Sequence, residues 1–194
     1  SNIESKYFES GYLNATLNQN VLIDSQNRVG IELIITQGEK TKIDKFTISG
    51  ADKISESTLL KLFKIGEADM ALINFFTKKD LFNDFEFRKG IDLMSNAYFD
   101  SGYLDFIIDD VITELDETKE NISIEIKISE GVQYQLGEVS FSGESDVINS
   151  DDLINIISMN KGDVFNRNQV ITDIQTLTDM YADKGYAFVN INPI

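Results

Sequence analysis

The clearest periodicity in the chain is the alternation of Ile122, Ile124, Ile126 and Ile128 with Ser123, Glu125 and Lys127. A two-residue repeat of this kind predicts a β-strand with one buried face. Upstream, Leu104, Phe106 and Ile108 alternate with Asp105, Ile107 and Asp109, which predicts a strand over Tyr103 to Leu115, and Asp116 to Asn121 reads as the polar turn between the two. Ile43, Phe46 and Ile48 interrupt polar residues between Lys42 and Ser49 and predict another strand, ending at Gly50. Between these strands the period changes. Ser55 is a candidate N-cap for a short amphipathic helix carrying Leu59, Leu60, Leu62 and Phe63, closed by Gly66. Phe87, Ile91, Met94 and Tyr98 follow at steps of 4, 3 and 4, one stripe of a second helix. The order β-α-α-β-β predicts an α+β fold, with two helices on one face of a three-stranded sheet and a polar opposite face.

Parts of this pattern recur. Tyr7-Phe8-Glu9-Ser10-Gly11-Tyr12-Leu13 reappears as Tyr98-Phe99-Asp100-Ser101-Gly102-Tyr103-Leu104, and more loosely as Tyr181 to Ala187, with the glycines 91 and then 83 residues apart. Phe46-Thr47-Ile48-Ser49-Gly50 matches Val139-Ser140-Phe141-Ser142-Gly143, and Gln37-Gly38-Glu39 matches Glu130-Gly131-Val132, each 93 apart. A repeat of about 90 residues is long enough to be a domain. Val170, Ile174, Leu177 and Tyr181 repeat the helical stripe, so Gly102 and Gly185 both fall where a helix ends on a residue of positive φ. The chain divides into residues 1–40, the C-terminal part of one repeat; 41–134, a complete repeat with an insertion between its helices; and 135–194, a partial repeat lacking its last strand. That last copy is expected to leave Gly137 to Phe141 and Phe188 to Ile191 without the strand between them. The chain opens at Ser1 without Met and reads as a piece of a longer one.

Composition narrows the chemistry. Of 194 residues, 33 are Asp or Glu against 17 Lys or Arg, a net charge of −16, and His, Cys and Trp are absent. Without His or Cys there is no imidazole base, no Cys-His pair and no ordinary zinc site. A strongly negative chain repels nucleic-acid phosphates and anionic lipid surfaces. Asp109-Asp110 and Asp151-Asp152 lack the spacing of a calcium loop and read as solvated acids. No acid among the 33 stands out as half of a hydrolytic pair, so a carboxylate-dependent hydrolase is the weaker reading. No cofactor is expected.

A β-α-α-β-β repeat of this length, with a strand ending in Ser-Gly, the Tyr-x-x-x-Gly-Tyr helix end and Glu-Gly after the last strand, resembles the POTRA domain of outer-membrane assembly proteins. The BamA type, which carries five such domains, fits best. On that resemblance the chain holds the end of the second, all of the third and most of the fourth domain, each a three-stranded mixed sheet covered on one face by two helices. The insertion carries Phe75 and Phe76 where the family pattern has tryptophan. The apolar stretch Met70 to Phe76 reads either as folding back on its own domain or as an exposed contact patch, with Phe75 and Phe76 the candidate contact residues.

The resemblance implies a binding scaffold rather than an enzyme, located in the periplasm. Its expected partners are unfolded outer-membrane protein clients and accessory, BamB-like lipoproteins. It places the strand after the second helix at a sheet edge, so Leu104, Phe106, Ile107, Ile108, Asp109, Val111, Thr113 and Leu115 form the candidate strand-binding edge. Asp105, Asp109 and Asp110 are the acids that would blunt such an edge. Carried over by position, the family's lipoprotein contact maps to Asp109, Thr113 and Leu115, with Thr113 in place of an aliphatic residue. POTRA arrays of TamA or two-partner secretion transporters are the alternative within the same class.

Overall fold

The structure is a computed structural model that describes residues 2–65, 81–143 and 148–193. Gly66 and the Phe75–Phe76 patch lie outside the described residues. The chain divides into two compact units, Ser1–Met94 with Ile108–Ile128, and Ser95–Ile107 with Ser129–Ile194.

The first unit opens with helix α1 (Asn2–Glu9) and an antiparallel hairpin of β1 (Thr16–Ile23) and β2 (Val29–Thr36). Its turn is tied by Asp24, which accepts hydrogen bonds from the backbone N–H groups of Gln26 and Arg28 and from Arg28 Nε. Strand β3 (Lys42–Ser49) follows, then the single-turn helix α2 (Glu56–Leu60), helix α3 (Asp84–Asp100), β4 (Ile107–Leu115) and β5 (Asn121–Ser129). Ser55 caps α2 as expected, accepting from the Thr58 N–H. Asn83 caps α3 through the Glu86 N–H at 2.9 Å.

The three strands form a sheet in the order β3-β5-β4, with β3 parallel to the central β5. Ile122, Ile124, Ile126 and Ile128 are all buried, so the alternation in β5 is the alternation of its two faces. In β3 the apolar residues Ile43 and Phe46 are three apart, which a regular strand cannot place on one face. A bulge between Ile43 and Lys45 removes the conflict, and Ile43, Phe46 and Ile48 stand opposite Ile122, Ile124 and Ile126. Leu59, Phe63 and Met94 complete this core from the helices, with the Phe63 ring edge-on to Phe46 at 4.8 Å.

The recurring motifs meet in recurring backbone bonds. In the first unit the Thr41 N–H donates to the Gly11 carbonyl and the Phe82 N–H donates to the Thr41 carbonyl, both at 2.9 Å. In the second, the Tyr134 N–H donates to Gly102 and the Phe165 N–H donates to Tyr134, at 2.8 and 3.0 Å. Gly11, at φ +88°, lies so close to the Phe82 carbonyl that a Cβ would sit 2.2 Å from its oxygen. The Gly-Tyr turn is therefore more than a helix end: it docks on a residue at the boundary with the next repeat.

The second unit adds α4 (Ser150–Ile154), capped by Asn149, and α5 (Arg167–Asp183), capped by Asn166. Leu177 and Tyr181 of the expected stripe are buried in a cluster with Ile148 and Leu153. Asp173, one position from that stripe, is also buried and accepts from the Ser158 N–H and hydroxyl. Neither 137–141 nor 186–191 forms a strand among the described residues. The described residues hold no counterpart of β5 in this repeat, and without it the two segments have no ladder to join.

Gly90 of α3 packs against the Phe63 ring so closely that an added Cβ would lie 2.1 Å from a ring carbon. Alanine favours the helix by about 1 kcal/mol, whereas overfilling a packed core costs about 1–3 kcal/mol. Because Phe63 is held between Phe46 and Phe87, the packing cost is expected to win. Gly90→Ala should lower the midpoint of urea unfolding; an unchanged or raised midpoint would mean the ring moves aside freely.

Candidate functional site

The site is built from the turn that leaves α3 inward and the strand it launches. Tyr98 in the last turns of α3 is fully buried, and its hydroxyl donates to Glu130 Oε1 at 2.8 Å. The Phe106 ring stacks on the Tyr98 ring with centroids 4.2 Å apart and planes 8° apart. The Tyr103 N–H donates to the Tyr98 carbonyl and the Phe106 N–H to Tyr103, so 103–106 is a turn. This corrects the expected edge. Leu104 lies in the turn and Phe106 is buried beneath Tyr98, so neither belongs to the strand, which begins at Ile107. Alternation over so few residues reads the same in a turn as in a strand; the stacking that decides between them comes from a different element.

The remaining expected edge residues, Ile107, Ile108, Asp109, Val111, Thr113 and Leu115, all lie in β4, which occupies one edge of the sheet. Five residues join β4 to β5, too few for a parallel crossover, so the pair is an antiparallel hairpin. The Asp116 N–H donates to the Asn121 carbonyl at 3.1 Å. Counting back in twos, the backbone groups of Glu114, Ile112, Asp110 and Ile108 face β5, and those of Leu115, Thr113, Val111, Asp109 and Ile107 face away. One observation accords with this count: the Val111 N–H donates to Asp110 Oδ1 at 2.9 Å.

The outward-facing residues also share one sheet face. On it, Ile107 is 56% exposed, Val111 38% and Leu115 43%, with Asp109 and Thr113 between them and also exposed. By the same count Asp109, Val111, Thr113 and Leu115 stand opposite Ile128, Ile126, Ile124 and Ile122, so the apolar row along β4 lies on the isoleucine face of the sheet, at its open edge. The three positions Asp109, Thr113 and Leu115 fall together on this face. The opposite edge differs: β3 carries Lys42, Asp44 and Lys45, and Lys42 is bridged to Leu81.

Among the described residues no group of Asp and Glu is placed to hold a metal ion. An open polar cleft near Tyr12 is lined by Glu39, Lys40, Lys42 and Glu120, and the Lys40 ammonium rests 5.2 Å over the Tyr12 ring. No described helix is long and apolar enough to cross a membrane.

The profile of the POTRA family, described as a surface antigen variable number repeat, matches residues 41–131 and 134–194. The chain belongs to the POTRA family. It is similar to the outer membrane protein assembly factor BamA of Neisseria meningitidis serogroup B, at 25% identity over 190 residues, covering 98% of this chain and 24% of that protein. It is similar also to BamA of Nitratidesulfovibrio vulgaris, at 27% over 165 residues, covering 82% of this chain and 20% of that one. The chain thus spans about a quarter of the length of such relatives. The crystal structure of Haemophilus influenzae BamA POTRA3-5 superposes with a TM-score of 0.58 at 15% identity, over 99% of this chain and 71% of that one. At that identity the likeness is one of fold, and the POTRA fold is what the β3-α2-α3-β4-β5 order displays.

In this POTRA sheet the Tyr98–Glu130 bond links the Tyr-x-x-x-Gly-Tyr motif to the Glu-Gly motif inside a buried environment. Tyr98→Phe keeps the ring stack and deletes the donor. A buried acceptor that loses a partner costs about 1–3 kcal/mol. The variant should therefore fold and unfold at lower urea concentration by that amount; a change below about 0.5 kcal/mol would show that the other contacts of Glu130 suffice.

Proposed function

We propose that this chain is part of the periplasmic scaffold of an outer-membrane β-barrel assembly protein, and that it works without catalysis by holding extended segments on the β4 edge. The coarse half of this reading rests on family membership and on the assembly factors it is similar to. The finer half rests on one observation: β4 turns a row of backbone donors and acceptors, together with exposed Ile107, Val111 and Leu115, away from its own sheet. Backbone pairing does not depend on side-chain identity, so such an edge suits many different client strands. Unfolded outer-membrane proteins are clients of this kind. Accessory BamB-like lipoproteins are the second class of partner, meeting the exposed side chains of Asp109, Thr113 and Leu115 along this edge. We assign residues 41–134 as the complete domain carrying the edge, between partial domains over 1–40 and 135–194. A POTRA array of a TamA or two-partner secretion transporter would use the same edge; the full-length gene separates these readings.

Proline at an outward-facing position removes one donor and blocks ladder growth without breaking the hairpin. Ile107, the first residue of the strand, is such a position, whereas Ile108 faces β5. Ile107→Pro should weaken binding of an alternating polar/apolar peptide by about tenfold in calorimetry, with the circular dichroism spectrum retained. Unchanged affinity, or equal affinity for the same peptide N-methylated at alternate residues, would rule out strand addition.

A further inference from the structure

We propose that the Asp110 carboxylate gates the middle of the β4 edge and makes it selective for strands that place a cation opposite it. The proposal rests on the strand-addition reading above and adds its partner chemistry. The Val111 N–H, central among the five outward positions, is taken by Asp110 Oδ1 at 2.9 Å. A carboxylate acceptor makes a stronger bond than an incoming peptide carbonyl. A client strand therefore finds donors toward each end of β4 and a closed one between them.

The geometry also says what opens it. Asp110 is an inward-paired residue, so on the outer side of β4 it would form a non-hydrogen-bonded pair with the added strand. Facing side chains approach most closely in such pairs, with Cα atoms about 4.5 Å apart. A Lys or Arg at that facing position lies within reach of the carboxylate and can draw it off the Val111 N–H, which then donates to the client carbonyl. An acidic residue there meets Asp110 directly and leaves the donor closed, and like charges placed opposite each other destabilise a sheet. The rest of β4 favours the same partner: its sequence, IIDDVITEL, holds three carboxylates and no cation. Asp110 and Glu114 share the face of the half-buried Ile108 and Ile112, so a cation opposite either is flanked by apolar side chains. The fitting occupant is an extended segment that alternates apolar residues with Lys or Arg.

Two measurements on the 194-residue chain test this. Amide exchange of Val111, read by NMR, should be slower in the wild type than in Asp110→Ala by about three- to tenfold, and Asp110→Asn, which keeps an acceptor oxygen, should stay protected. Two peptides of equal length and pattern, differing only in Lys or Glu at the alternate polar positions, should bind the wild type with about a tenfold preference for Lys. Asp110→Ala should tighten the Glu peptide and shrink the preference, while Asp110→Asn shrinks the preference with exchange unchanged. Equal Val111 exchange in wild type and Asp110→Ala, or an unaltered Lys/Glu ratio with binding still lost in Ile107→Pro, overturns the gate and leaves strand addition standing. Failure of both peptides to bind wild type and variant, or binding unaffected by Ile107→Pro, overturns strand addition and the gate with it.

Discussion

Strand β5 is the element on which the rest of the complete repeat depends, because it is paired on both sides. Its parallel ladder with β3 joins segments about 80 residues apart in sequence, and the helices of the repeat lie in the connection between them. Its hairpin with β4 then fixes β4 at the sheet edge, whatever the sequence of β4. The other two repeats make the same point by contrast. The hairpin of β1 and β2 has no third strand among the described residues, and Val21, Leu22, Ile23, Val29 and Ile31 are all more than half exposed. An isolated hairpin buries little on either face. In the C-terminal repeat, where the described residues hold no β5 counterpart, Val189 and Ile191 pack against the helical core without entering a described ladder.

The motifs that mark the repeat belong to its joints. Gly102 turns at φ +84°, and its carbonyl accepts from Tyr134, just past the Glu-Gly pair. Around that bond Asp105 Oδ2 accepts from the Tyr134 hydroxyl, and Asp100 caps the start of α5 through the Asn168 N–H. Hydrogen bonding to Asp105 pushes the Tyr134 hydroxyl above its ordinary pKa, because ionising it would break that bond beside a negative charge. A short linker read from sequence alone implies only limited slack. The paired backbone bonds add a specific docking geometry at each joint, repeated with Thr41 in the place of Tyr134.

How legible each feature was in the sequence follows from how local its cause is. The face of β5 could be read because alternation and burial are the same fact there. The stripe of α3 could be read for the same reason, and Met94 and Tyr98 are fully buried. The bulge in β3 was hidden, yet the odd step from Ile43 to Phe46 was its visible trace. Phe106 was misplaced because its partner, Tyr98, acts across a turn. The missing strands of the last repeat are the extreme case, since a strand exists only if its neighbour does. Asp173 did not stand out among the 33 acids, although it lies three residues after Val170 and four before Leu177. Those two spacings already put it on the buried face of α5.

The two edges of the sheet show how an exposed strand can be open to partners and still resist uncontrolled pairing. At β3 the edge carries both charge signs and is bridged by Leu81 at its start. Such an edge is blunted against any comer. At β4 blunting is of another kind. The apolar residues Ile107, Val111 and Leu115 remain exposed, so the attraction is kept, and resistance comes from carboxylates between them and from one self-satisfied donor. A barrier made of apolar bulk or proline could not be lifted by a partner. One made of a side-chain hydrogen bond can be, because the same carboxylate that closes the edge can be drawn off by a passing strand of suitable charge. The price in stability is small, since an exposed hydrogen bond of this sort contributes only about 1 kcal/mol. That scale suits a scaffold that must release what it holds.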